Sequence, residues 1–119
     1  MVTKVMTLFI LLTLCLFVYN CSVDKKQEIK QSIQYKDIEI RLLKVDPYSI
    51  PDKGIANIIA VDSAGNVIWQ AEPPKSARDS YWSMELDTSR NLLVVNTGNS
   101  FQHLINLENG EVIEYYMIK

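Results

Sequence analysis

The sequence predicts an all-β fold, about seven antiparallel strands in a meander, set behind a signal peptide and a polar tether. Three observations carry that expectation. From Tyr35 onward the apolar residues recur with period two rather than 3.6. Clusters of Gly, Asn, Asp and Pro break them into short runs. At the front, the 14 residues Val5 to Val18 form an apolar run behind Lys4, shorter than the roughly 20 apolar residues that span a bilayer.

The leader closes on Val18-Tyr19-Asn20-Cys21 and opens at once into Ser22-Val23-Asp24-Lys25-Lys26. Phe17, Val18 and Tyr19 are too bulky for an ordinary small-x-small cleavage site. The four residues resemble the lipobox of bacterial lipoproteins, an aliphatic residue at minus three and a small one before the cysteine that is acylated. That resemblance implies a signal peptide over 1–20 and a mature protein that begins at Cys21. It would stand on the bacterial cell membrane or outer membrane, lipid-anchored, facing the periplasm or exterior. Three acyl tails at about 0.8 kcal/mol per buried CH₂ would hold it there. Cys15, inside the apolar run, has no such context and reads as a bystander.

Residues 21–34 read as the lipidated N-terminus and a tether, rich in Lys, Gln, Glu and Ser with isolated Val23, Ile29 and Ile33. The β domain is expected over 35–119. Its first strand places Ile38, Ile40 and Leu42 on one face, and Leu43 and Val45 shift the phase. Pro47, Pro51 and Gly54 then require a loop. Residues 57–62 and 67–72 read as a hairpin about Ser63-Ala64-Gly65-Asn66, with Asp62 fixing the turn through its side chain.

Pro73-Pro74 ends that hairpin. Residues 81–87 alternate so that Trp82, Met84 and Leu86 are expected inside and Tyr81, Ser83, Glu85 and Asp87 outside. Residues 92–97 are apolar on both faces and read as a central strand. Residues 101–107 and 112–118 close the chain as a hairpin about Asn109-Gly110. Trp69 and Trp82 are both expected in the core.

Placing Gly65 over Gly110 aligns the two hairpins at an offset of 45 residues, a blade period of propeller repeats. "IIAVDSAGNVIW" resembles the hairpin of quinoprotein-type propeller blades, and "INLENGEVIEY" is a weaker copy. The mature region is similar to small bacterial lipoproteins of this blade-like type, which implies a location and a fold class rather than an activity. Even four blades need about 160 residues, so the 119-residue chain suits a sandwich, a partial barrel or one to two blade-like sheets.

Charge narrows the partners. The formal charge is -2, and loss of Lys4 with the leader leaves 11 basic against 14 acidic residues. No basic stripe for nucleic acid follows from that. Both cysteines precede residue 22, so the folded part is expected to hold no disulfide or thiolate metal site. His103 is the only histidine and reads as packed at a core edge and bonded to backbone. Glu85 and Asp87 read as a solvated pair rather than catalytic acids, no G-x-S-x-G elbow occurs, and no cofactor or metal is expected.

The function expected is a non-catalytic binding or interaction module of the envelope, presenting loops 46–56, 73–80 and 97–100 to an envelope protein or a glycan. Tyr48, Arg78, Tyr81, Asn99 and Tyr116 are the candidate surface, since amphipathic rings and planar cations suit such contacts. An immunity or inhibitor protein acting on a partner enzyme at the membrane is the alternative.

Overall fold

A computed structural model of the chain describes residues 27–118, and the signal peptide, Cys21 and the first part of the tether lie outside the described residues. The described chain is all-β, with eight strands in two four-stranded antiparallel meanders. The first sheet runs β1 (Ile29–Tyr35), β2 (Ile38–Leu43), β3 (Ile58–Val61) and β4 (Val67–Gln70). The second runs β5 (Tyr81–Asp87), β6 (Leu92–Thr97), β7 (Phe101–Asn106) and β8 (Val112–Met117).

The eighth strand is β1, and it corrects the expected domain boundary. The domain starts at Ile29 rather than Tyr35, and residues 29–34 are structure rather than tether. Polar composition concealed it, but one face is enough. Ile33 pairs across the ladder with Ile40, and Ile33 and Tyr35 pack on the core. Gln31 replaces an apolar residue by spanning to the other sheet, its amide donating to the Met84 carbonyl at 2.7 Å and accepting from the Met84 N–H at 3.0 Å.

The two sheets bury their facing rows against each other. Ile33, Ile40, Ala60 and Trp69 form one row across the first sheet. Leu86, Leu93, Ile105 and Val112 form a row across the second. Small Ala60 lies beside large Trp69, which leaves room for the indole to reach over and donate to the Leu107 carbonyl at 3.0 Å. β6 is central, as its two-sided apolar pattern requires. The echo at offset 45 falls on β3–β4 and β7–β8, the last hairpin of each sheet. Each turns on a glycine of positive φ, 86° at Gly65 and 79° at Gly110, and Asp62 does fix the first turn, its Oδ1 accepting from Ala64 and Asn66 N–H at 2.9 Å.

The phase at the start of β5 is the reverse of the expected one. Tyr81 pairs with Thr97 and Ser83 with Asn96, so Trp82 is an extra residue in a bulge. Tyr81 therefore faces in and is 1% exposed, while Trp82 faces out at 55%. Buried Asn57 explains the choice. Its Nδ2 donates to the carbonyls of Leu43 and Tyr81 at 2.8 and 2.9 Å, and its Oδ1 accepts from the Tyr81 N–H at 2.9 Å. The Tyr81 hydroxyl then reaches the Glu72 carbonyl at 2.6 Å, so the buried ring leaves no polar atom unpaired.

Two outcomes follow for stability in urea. Asn57→Ala strands three backbone groups at the seam between the sheets and should cost about 3 kcal/mol, with the slope of the transition unchanged. A Cβ at Gly110 would lie 2.6 Å from Trp69 Cε3 and 3.0 Å from the Gln70 carbonyl, whereas one at Gly65 meets nothing within 4 Å. Gly110→Ala should therefore cost about 3 kcal/mol and Gly65→Ala only about 1 kcal/mol, the second reporting the positive φ alone.

Candidate functional site

Three connections meet at one end of the sandwich, 44–57 between β2 and β3, 71–80 between β4 and β5, and 98–100 between β6 and β7. Turns 36–37, 62–66, 88–91 and 107–111 occupy the other end. The loops interlock around Asp79, which is 1% exposed. Its carboxylate accepts from the Ser76 hydroxyl, from the Ser80 N–H at 2.8 Å and from the Asn99 N–H at 3.1 Å. Its backbone carbonyl accepts from the Ile55 N–H at 3.0 Å. One buried aspartate, through its carboxylate and its backbone carbonyl, thus ties all three loops, and the donors around the carboxylate compensate its burial.

On this base stands Trp82. Its indole lies against Gly98, where an added Cβ would come within 2.7 Å of Nε1. The Lys30 ammonium sits 5.1 Å from the ring centroid on the indole face, a cation–π pair. Beside it opens a cleft of about 270 Å³ lined by Lys30, Leu43, Lys44, Val45, Pro47 and Trp82. Its lining is mostly apolar and includes the cations Lys30 and Lys44, with Lys44 paired to exposed Glu28 at 2.8 Å. Such an exposed pair is weak and exchangeable.

His103 sits in the inner row of the second sheet between Val95 and Tyr115, fully buried. Its Nε2 accepts from the Lys75 N–H at 2.9 Å, which places the proton of the neutral ring on Nδ1. That atom is buried and has no partner. Tyr81 meets the ring edge-on at 5.6 Å and Tyr115 stacks on it at 5.3 Å. Burial holds its pKa below the usual histidine value, against the pull of the Asp79 charge. Packed and bonded to backbone, it matches the reading of the sequence.

The five expected surface residues divide. Tyr48 is 95% exposed on loop 44–57, its N–H held by Asp46 Oδ1 at 3.0 Å. Arg78, at φ 53°, pairs with Asp52 at 2.7 Å, and Asn99 donates to the Ala77 carbonyl at 3.0 Å. These three share the loop end. Tyr81 does not belong to the surface, because the bulge turns it into the core. Tyr116 lies on β8, its hydroxyl bonded to Gln102, outside the loop cluster. The Asp87 carboxylate accepts from Ser89 and Arg90, which hold its carboxyl down to about 2.

Two features escaped the sequence reading. Trp82 is the platform of the loop end, and the only sequence signal for it was a second aromatic directly after Tyr81. The other is the edge strand β8. Among the described residues ten large apolar side chains are exposed, and five of them, Ile113, Tyr115, Tyr116, Met117 and Ile118, fall in this one segment. Of these five the sequence reading gave only Tyr116 an outward place.

The buried histidine has a consequence in pH. Protonation would break the bond from Lys75 and leave a cation in an apolar row. The folded pKa is lowered and the unfolded one is near 6.5. The unfolded chain therefore binds more protons below that value. Stability should be complete above pH 6.5 and fall as the pH drops from there, by up to about 1.4 kcal/mol per unit. Urea titrations at stepped pH should show that loss in the wild type and lack it in His103→Gln.

No curated protein and no solved structure matches the chain. A family model does, over residues 14–117, described as a domain of unknown function, DUF7957. That match takes in both sheets, the loop end and Cys21, and the chain belongs to the DUF7957 family.

Proposed function

We propose that the protein is a lipid-anchored module of the bacterial envelope that binds a partner protein, without catalysis, by accepting an extended segment along β8. The exposed edge of β8 is the observation that carries this reading. The Ile118 N–H donates to the Ser100 carbonyl at 2.8 Å, so by alternation the N–H and C=O groups of Tyr115 and Met117 point away from β7. An apolar edge with free backbone groups pairs readily with another strand. Between Val112 and Ile118 stands a single charge, Glu114, and no lysine or proline guards the segment.

The inner side chains of that edge are equally uncovered. β4 ends at Gln70, and Pro73-Pro74 turn the chain aside, so Tyr115 and Met117 remain 48% and 64% exposed. Catalysis finds little support in the same geometry. His103 is sealed from solvent and Asp79 is saturated with donors. The location rests on the apolar run and on Val18-Tyr19-Asn20-Cys21.

Two experiments bear on this. Cys21→Ala should abolish fatty-acid labelling in cells and release the protein from membranes, and labelling that persists would remove the anchor from the proposal. A photo-crosslinking residue at position 115 should yield a discrete adduct in native membranes, and one at position 85, on the outer face, should not. Met117→Pro removes an outward N–H without touching the β7 ladder and should eliminate the adduct. An adduct that survives it would exclude strand pairing along β8.

A further inference from the structure

We propose that the loop end is seated on the bilayer, with Trp82 and Tyr48 at the lipid interface, Lys30 and Lys44 toward lipid phosphates, and the turn end facing away. This inference rests on the anchor at Cys21 and adds an orientation and a lipid contact to it.

Chain length fixes which end is near the membrane. β1 enters at the loop end, and five residues separate Cys21 from Gln27, six Cα-to-Cα steps. Fully extended they reach at most about 20 Å. The seven-residue strands β1 and β5 run roughly another 23 Å from there to the turns. A tether this short keeps the loop end within about 20 Å of the surface, and the turns can stand a domain's length beyond it.

The side chains at that end suit an interface. Trp82, Tyr48 and Ile29 are exposed at 55%, 95% and 46%, and indole and phenol rings settle where one side is apolar and the other wet. Trp82 is held for this by Gly98 on the bulge, not loosely displayed. The cleft beside it is lined by apolar Leu43, Val45 and Pro47 together with Lys30 and Lys44, so apolar side chains and ammonium groups meet at one site.

Charge runs the same way. The turn end carries Asp37, Asp62, Asp87, Glu108 and Glu111 against Lys36 and Arg90. At the loop end Lys30, Lys44, Lys53, Lys75 and Arg78 balance Glu28, Asp46, Asp52, Glu72 and Asp79, and the sequence adds Lys25 and Lys26 against Asp24 beside the anchor. An anionic bilayer repels the first end, and the second, balanced within the domain and positive by one with the tether, meets no such repulsion.

The test uses the full chain purified from membranes and reconstituted into vesicles of phosphatidylethanolamine and phosphatidylglycerol brominated on their acyl chains. The chain has two tryptophans, and Trp69 is enclosed in the core. Bromine should quench the wild-type fluorescence, and Trp82→Phe, a change at an exposed position, should lose that quenching while remaining anchored. If quenching is absent from the wild type, or equal in the two proteins, with Cys21 acylated by mass, the seating is overturned and the anchor stands. An unacylated Cys21 overturns the anchor and the seating with it.

Discussion

The three hydrogen bonds of Asn57 set the relation between the two sheets on which the remaining features depend. A four-stranded meander with one apolar face is stable only against something that covers that face. Apolar burial supplies the attraction but is not directional. Asn57, at the entry to β3, joins the end of β2 to the start of β5 through backbone groups of Leu43 and Tyr81. It thereby fixes where the second sheet begins. Both backbone groups of Tyr81 face that amide while Tyr81 pairs with Thr97 and Ser83 with Asn96, and Trp82 is the extra residue between them. The inward Tyr81 and outward Trp82 are consequences of that single buried amide, and so is the architecture of the loop end.

The same logic explains why polar residues are concentrated in one place. Asn57, Asp79, Ser80, Thr97 and His103 are the buried polar residues, and their bonds run among the loops or between them and the sheets. Loops 44–57 and 71–80 cannot satisfy their backbone in a ladder, so side chains do it for them. The Nδ1 of His103 is the one buried side-chain atom among the described residues left without a partner. Sealing the inner face of β7 with a loop, rather than with a fifth strand, leaves it so.

Much of the fold was legible because period two survives wherever one face is buried. Ile40 and Leu42, Leu93 and Val95, and His103 and Ile105 fall where alternation puts them. The failures share a cause. β1 was missed because Gln31 performs through its amide what an apolar residue would do by burial. Tyr81 and Trp82 were exchanged because a bulge is set by a distant partner, Asn57, that no local pattern contains. The surface was legible only in part for a related reason. Exposure of Tyr48 and Arg78 follows from their loop, but that of Tyr115 and Met117 depends on where the other sheet stops, which is a property of β4 and the prolines after it.

The two ends of the domain differ because the connections differ. Turns between adjacent strands are short and close on Asp, Asn and Gly, whose side chains satisfy the local N–H groups, as Asp62, Asn106 and Asn109 do. This chemistry makes the turn end acidic without any partner to account for it. Longer connections, gathered where the chain enters, can carry aromatic and cationic side chains and still be anchored beneath them by Asp79. β8 runs from the first end to the second, so its free edge rises along the side of the molecule and is covered by neither end. The physical economy of the fold therefore separates three surfaces: an acidic cap built by turn geometry, an aromatic base of balanced charge built by loops, and an apolar flank left by the early end of β4. On the last, the outward N–H and C=O groups of Tyr115 and Met117 stand among exposed apolar side chains, and the proposed partner strand would pair with them.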